Sequence, residues 1–217
     1  MNIVNYFIFI YDSIHFFQEL NSSSNISIKM ASKRALVLLS EGAEEMETVI
    51  TVDVLRRGKI ETTLASVSDD NCMVIKCSRD VKIEADATLK EALSNGPYDA
   101  IVLPGGLKGA QNLASSLAVK EILSEQNARG GIIAAVCAAP TALKAHEIGK
   151  GKQITSYPTF KNELNGYYKY SDERVVVDGN LVTSQGPGTC FDFALKIVEL
   201  LSDKDTADKI QEGLLHK

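Results

Sequence analysis

Apolar residues along this chain fall into short unbroken runs separated by longer stretches of helical spacing, which is how strands buried on both faces alternate with covering helices. Arg34–Leu39 (RALVLL) predicts a buried strand, and residues 44–57 (EEMETVITVDVLRR) an amphipathic helix ending at Gly58, where a left-handed residue is wanted. A second strand is expected at 60–67, shorter ones at 73–76 and 81–84, and a brief helix at 88–93 opened by Asp86. Residues 99–103 form a third buried run that ends in Pro104-Gly105-Gly106, and helix is expected over 110–126. The run from Gly131 to Cys137 predicts another strand, and the stretch after it, through His146, has helical composition. A short strand at 153–156 and a hairpin of 174–177 with 181–184 across Asp178-Gly179-Asn180 follow. Gly186-Pro187-Gly188 then opens a helix over 189–201, and Ser202 with Asp205 resembles the capping box of a last one.

Such alternation predicts one α/β domain built on a doubly wound parallel sheet with helices on both faces, a flavodoxin-like sandwich. Ligands bind such sheets outside the carboxyl ends of the strands. Four loops are therefore expected to meet there: those after Leu39, after Leu103, at Cys137 and after Ser184.

The first 29 residues differ from the rest. Six of the chain's fourteen Phe and Tyr residues lie between Met1 and Phe17, and a polar Asn/Ser stretch separates them from ordinary globular composition at Met30. The apolar run is well short of the roughly 20 residues that span a bilayer. It has no arginine and carries Asp12 and Glu19, unlike a secretory or mitochondrial leader. Residues 1–29 are read as a poorly ordered extension or an upstream start, ahead of a domain at 30–217.

Net charge is −5 over 217 residues, with no basic run, which argues against general or sequence-specific nucleic-acid binding. Arg56-Arg57 reads as a helix end. The four cysteines, Cys72, Cys77, Cys137 and Cys190, show no CxxC pattern and no histidine at zinc spacing, so neither a structural metal nor a disulfide is expected. Free thiols suit a reducing compartment, and the expected location is the cytoplasm.

The candidate chemistry centres on Cys137, at a strand-to-helix turn where unpaired N–H groups and the positive end of a helix dipole favour thiolate. The alternative is that Cys137 is a small buried hydrophobe. Gly105-Gly106, also between strand and helix, offers backbone N–H groups to a ligand oxygen or an oxyanion, or forms a plain turn. Gly186-Pro187-Gly188 is likewise a ligand loop or a rigid start to a helix. No Walker or GxGxxG sequence accompanies these glycines, which disfavours a nucleotide module. Glu44, Glu45 and Glu47 begin the first helix, where carboxylates interact well with the dipole. Any one of them beside the thiolate would be held protonated and donate a hydrogen bond to sulfur. His146 lies about 13 Å along a helix from Cys137, too far to serve as a local base, and reads as a helix-terminal residue.

The segments beginning at Met30 (MASKRALVLL), Glu44 (EEMETV), Cys77 (CSRDV), Tyr98 (YDAIVLPGG), Gly109 (GAQNL), Ala134 (AAVCAAPTAL), His146 (HEIG) and Gly186 (GPGT) resemble the Parkinson disease protein 7 (DJ-one) family. The wider group is the DJ-one/PfpI branch of the class I glutamine amidotransferase-like folds. The resemblance implies a homodimer without cofactor or membrane span, with Met46 and Cys77 at or near the dimer contact. It implies that Cys137 is an oxidation-sensitive nucleophile, that Glu47 is its protonated carboxyl partner, and that the N–H groups of Gly106 and Ala138 form a pocket for an oxyanion or sulfinate. Gly105, Tyr157, Gln185, Gly186 and Pro187 complete the candidate pocket.

Three features depart from the family pattern: Tyr157 stands where close relatives carry histidine, Gln185 replaces an arginine, and the segment before Met30 has no family counterpart. Protease-like members place a histidine directly after the nucleophile, where this chain has Ala138, which weighs against proteolysis. The implied activity is cofactor-free conversion of small dicarbonyls such as methylglyoxal (a glyoxalase or protein deglycase), together with redox sensing through Cys137 in protection against oxidative stress. The alternative is a non-catalytic, redox-regulated chaperone or signalling partner.

Overall fold

β1 (Arg34–Leu39) is the axis of the fold because its side chains alternate between two apolar layers. Ala35, Val37 and Leu39 enter one core and Leu36 and Leu38 the other, all fully shielded from solvent. A strand buried on both faces requires a helical layer on each side. The computed structural model describes residues 32–68 and 70–217, and Ser32–Lys217 is one compact unit. The expected extension over residues 1–29 lies outside the described residues.

After β1, α1 (Glu45–Arg57) leads to β2 (Glu61–Ser66), parallel to β1. The β3 (Val74–Lys76) and β4 (Lys82–Glu84) strands pair antiparallel as a separate hairpin, and β5 (Ala87–Thr88) returns beside β2. The chain continues through α2 (Leu89–Ser94), β6 (Ala100–Leu103), α3 (Leu107–Ser115), α4 (Leu117–Ala128) and β7 (Ile132–Val136). There follow α5 (Pro140–Ala145), β8 (Gln153–Ile154), α6 (Lys161–Leu164) and β9 (Lys169–Tyr170). Last come the hairpin β10 (Val175–Asp178) and β11 (Leu181–Ser184), then α7 (Cys190–Leu201) and α8 (Lys204–Gly213).

The main sheet has seven strands in the order β10-β11-β7-β6-β1-β2-β5, and β10 alone runs antiparallel. Residues of α1 and α7, among them Leu55, Phe193 and Val198, pack on one face. Residues of α2 to α5, among them Ala92, Leu113, Leu123 and Leu143, cover the other. The doubly wound α/β sandwich expected from the hydrophobic pattern is the observed fold.

Four local expectations are corrected. The helix expected over 110–126 is two, because Ser116 breaks the run and its hydroxyl accepts the Val119 N–H at 3.3 Å as an N-cap. The cap of α2 is Thr88 with Glu91 in a reciprocal box, while Asp86 accepts the Leu64 N–H at 2.8 Å and pairs with Arg56. Past α1 the left-handed residue is Lys59 (φ 55°), and Gly58 has an ordinary φ of −71°. The cap of α8 is Asp203, accepting the Thr206 N–H at 2.7 Å, one position later than the Ser202 box. At the three N-termini a side chain within reach of the first-turn N–H groups decides where the helix begins.

His146 is the C-cap of α5 and is buried, and its Nε2–H donates to Leu113 O at 2.8 Å, tying α5 to α3. It is a structural clamp. His146→Ala orphans a buried carbonyl and is expected to lower the unfolding free energy by about 1–3 kcal/mol in urea titration, while the rate of Cys137 alkylation by iodoacetamide stays unchanged.

Candidate active site

Cys137 is the first residue after β7 and adopts φ 63°, a left-handed conformation that a residue with a Cβ tolerates only when its surroundings impose it. Here they do. Its N–H donates to Ser184 O at 3.0 Å and its carbonyl accepts the Tyr157 N–H at 2.8 Å. The loop after β1 joins the loop after β6 through Glu44 N–H to Gly105 O at 3.1 Å. The four loops expected at the carboxyl edge therefore do meet there.

Glu47 lies in the first turn of α1 and is wholly buried. Its Oε2 accepts the Gly105 N–H at 2.7 Å, and the Glu44 carboxylate, acting as N-cap, accepts the Glu47 N–H at 2.8 Å. Its Oε1 is buried and has no hydrogen-bond partner, and the Cys137 thiol interacts with the same carboxyl group. Burial pushes the Glu47 carboxyl up to about 7, against the pull of the Cys137 and Gly105 hydrogen bonds, and the Glu44 charge adds to the rise. A carboxyl group so placed satisfies Oε1 best by keeping a proton and donating it to sulfur.

The thiol does not behave as the helix-terminus argument predicts. Burial, then the Glu47 charge and hydrogen bond, push Cys137 up to about 12, while the Gly106 and Ala138 N–H groups draw it down. The helix that follows is only six residues long, with no side-chain cap, so its dipole is small beside the neighbouring carboxylate. The two titrations are coupled: a proton retained on Glu47 turns its repulsion of the thiolate into a donated hydrogen bond.

The two glycines separate into different roles. A Cβ on Gly105 would sit 2.6 Å from the Cys137 Cβ and 2.8 Å from Glu47 Oε2, so only glycine lets these side chains approach. Its N–H is committed to Glu47 and does not face a ligand. Gly106, at φ 81°, would drive a Cβ into Gly42 O, and its N–H, with that of Ala138, is directed at the Cys137 sulfur.

Tyr157 is 45% exposed, and its ring flanks Gly186, where a Cβ would lie 3.4 Å from Tyr157 Cδ2. Gln185 is turned to structure: its Nε2 donates to Asp172 O at 2.9 Å and its N–H to Thr189 Oγ1 at 3.2 Å. Gly186 also donates to Thr189 Oγ1, at 3.0 Å, and Pro187 begins the short 3-10 turn that follows. Thr189 is thus the organiser of this loop, sharing a further hydrogen bond of 2.7 Å with Ser184 Oγ. Neither Thr189 nor the capping role of Glu44 was anticipated, although Thr189 stands three residues after Gly186, the spacing at which a hydroxyl reaches back to the start of a turn.

Cys77 and Cys190 are buried, and burial raises both, Cys77 to about 11. Cys72 is exposed. Among the described residues no cluster of His, Cys, Asp and Glu is arranged to hold a metal ion, and no helix is long and apolar enough to cross a membrane.

Residues 33–200 match the DJ-1/PfpI family. The chain is 52% identical over 190 residues to the Parkinson disease protein 7 homolog of Danio rerio, covering 87% of this chain and all (100%) of that one. It is 40% identical over 186 residues to the glutathione-independent glyoxalase DJR-1.2 of Caenorhabditis elegans, covering 85% of this chain and 97% of that one. The crystal structure of Drosophila melanogaster DJ-1beta superimposes with a TM-score of 0.83 at 48% identity, covering 86% of this chain and 99% of that one. Sequence and fold agree: the chain belongs to the DJ-1/PfpI family.

Proposed function

We propose that this protein protects against oxidative and carbonyl stress through Cys137, as a cofactor-free glyoxalase or deglycase acting on methylglyoxal and related dicarbonyls and as a redox sensor, in a reducing compartment such as the cytoplasm. The observation that carries the reading is the buried Glu47–Cys137 pair, in which Oε1 has no donor and the carboxyl is raised to about 7. The relative named as a glutathione-independent glyoxalase supports the same chemistry.

The Cys137 thiolate attacks the aldehyde carbon, forming a C–S bond and an alkoxide that the Gly106 and Ala138 N–H groups stabilise. Glu47 delivers its proton to that alkoxide, then takes the C–H proton to give an enediol and returns it to the adjacent carbon, while the hydroxyl proton passes from the first oxygen to the second as the first becomes the carbonyl. The result is a thioester of the 2-hydroxyacid, which water hydrolyses to lactate and free thiol. No electron leaves the substrate, so no external redox partner is needed. Peroxide reacting with the same thiolate gives a sulfenic and then a sulfinic acid, whose oxygens would use the same two N–H groups. The homodimer implied by the family is assigned to the outer face of α1, where Met46 (54%) and Val49 (53%) are exposed.

Cys137→Ala is expected to abolish lactate formation from methylglyoxal, and Glu47→Gln to lower kcat/KM by about 100-fold or more; full activity in either variant overturns the mechanism. After mild peroxide, mass spectrometry should find sulfinic acid first at Cys137, ahead of Cys72, Cys77 and Cys190.

The carboxyl also carries a stability signature. Glu47 keeps its proton to about pH 7 when folded and to about 4.5 when unfolded. The folded state therefore binds more protons between those values, and the stability Glu47 contributes is full below about 4.5 and is lost as pH rises through about 7. Glu47→Gln should remove this slope, a difference of up to about 3 kcal/mol, read from urea midpoints across that range. Val49→Lys is expected to turn a dimer into a monomer in sedimentation velocity.

A further inference from the structure

A cavity of about 680 Å³ opens between the end of α1 and α8, and its lining includes Lys33, Arg57, Lys59 and Lys209 together with Ile60 and Ile210. Lys33 precedes β1 and Ile60 precedes β2, so this cavity lies at the amino edge of the sheet, opposite Cys137. Its volume falls in the range of about 300–1,000 Å³ usual for small-molecule sites. It brings four cationic side chains to a recess that Ile60, Leu201 and Ile210 also line, in a chain whose net charge is −5.

Two of the cations are already paired. Arg57 meets Asp53 at 2.6 Å and Lys33 meets Asp99 at 3.1 Å. Lys59 and Lys209 make no ion pair among the described residues. Lys209 does act electrostatically on Asp203, but that carboxylate is bonded to the Thr206 N–H as the cap of α8. The carbonyl end of α1 accounts for Arg56 and Arg57. It does not account for Lys33 and Lys209, which come from other elements. Lys59 joins them because the left-handed turn after α1 falls on it and not on Gly58.

We propose that this cavity binds a small amphipathic anion, a phosphate monoester carried on a short apolar body. A phosphate monoester brings a charge of about −1.5 to −2, which two unpaired ammonium groups match better than a carboxylate does, and lysine is an effective point-charge partner for phosphate. Ile60 and Ile210 supply the contact for the apolar body.

The test is amide NMR titration of the full chain with hexyl phosphate, inorganic phosphate and hexanol. Hexyl phosphate should give saturable shifts at Lys59, Ile60, Lys209 and Ile210. Inorganic phosphate should bind at least about tenfold more weakly, and hexanol should leave these amides unmoved. K59E/K209E, two exposed positions, should weaken hexyl phosphate by about tenfold or more with unchanged thermal midpoint and Cys137 alkylation. The proposal is overturned if hexyl phosphate gives no saturable shift at the cavity or binds the double variant as tightly. Equal binding of inorganic phosphate, or binding only to phosphatidic acid vesicles, overturns it as well.

Discussion

A carboxyl group shut away from solvent governs the edge of the sheet where Cys137 lies. Glu47 is wholly buried, one of its oxygens is held by the Gly105 N–H, the other has no hydrogen-bond partner, and the carboxyl interacts with the Cys137 thiol. Ionising it in that setting is unfavourable, because burial penalises charge and the Glu44 cap adds a second negative charge nearby. In the proposed reading, the proton Glu47 retains is what would make a thiolate at Cys137 tolerable.

That contact needs two backbone concessions. Gly105 gives up its Cβ so that Glu47 and Cys137 can close on each other. Cys137 accepts a left-handed backbone, held by hydrogen bonds to Ser184 and from Tyr157. Strain of this kind survives only where rigid neighbours impose it. The sheet supplies them: β6, β7 and β11 are adjacent and parallel, so the ends of these strands converge from widely separated parts of the chain.

The same architecture places unlike chemistry at its two edges. Loops at the carboxyl edge carry glycines and the buried pair, while the amino edge gathers cations around a cavity beside α8. In both places the side chains come from elements distant in sequence, so neither grouping shows as a local motif.

The alternation of short apolar runs with helical stretches was enough to determine the doubly wound sheet, because two-sided burial leaves a mark on every strand that local composition displays. It also marked Cys137 and the glycine turns as candidates, because each sits at a local strand-to-helix junction. Resemblance to a family, and not spacing, selected Glu47 from its neighbours Glu44 and Glu45. Tertiary structure decided what each glutamate does: Glu44 caps α1, Glu45 binds Ser78 and Arg79 from the hairpin loop, and Glu47 is buried against sulfur. It decided the break at Ser116, the caps at Thr88 and Asp203, and the role of Thr189. It also reversed the argument that a helix end lowers the Cys137 thiol, since a burial-driven shift depends on what surrounds a group in space. Hydrophobic periodicity is a property of neighbours in sequence, whereas desolvation, close approach and pairing of charges are properties of neighbours in space, and only the folded chain brings those together.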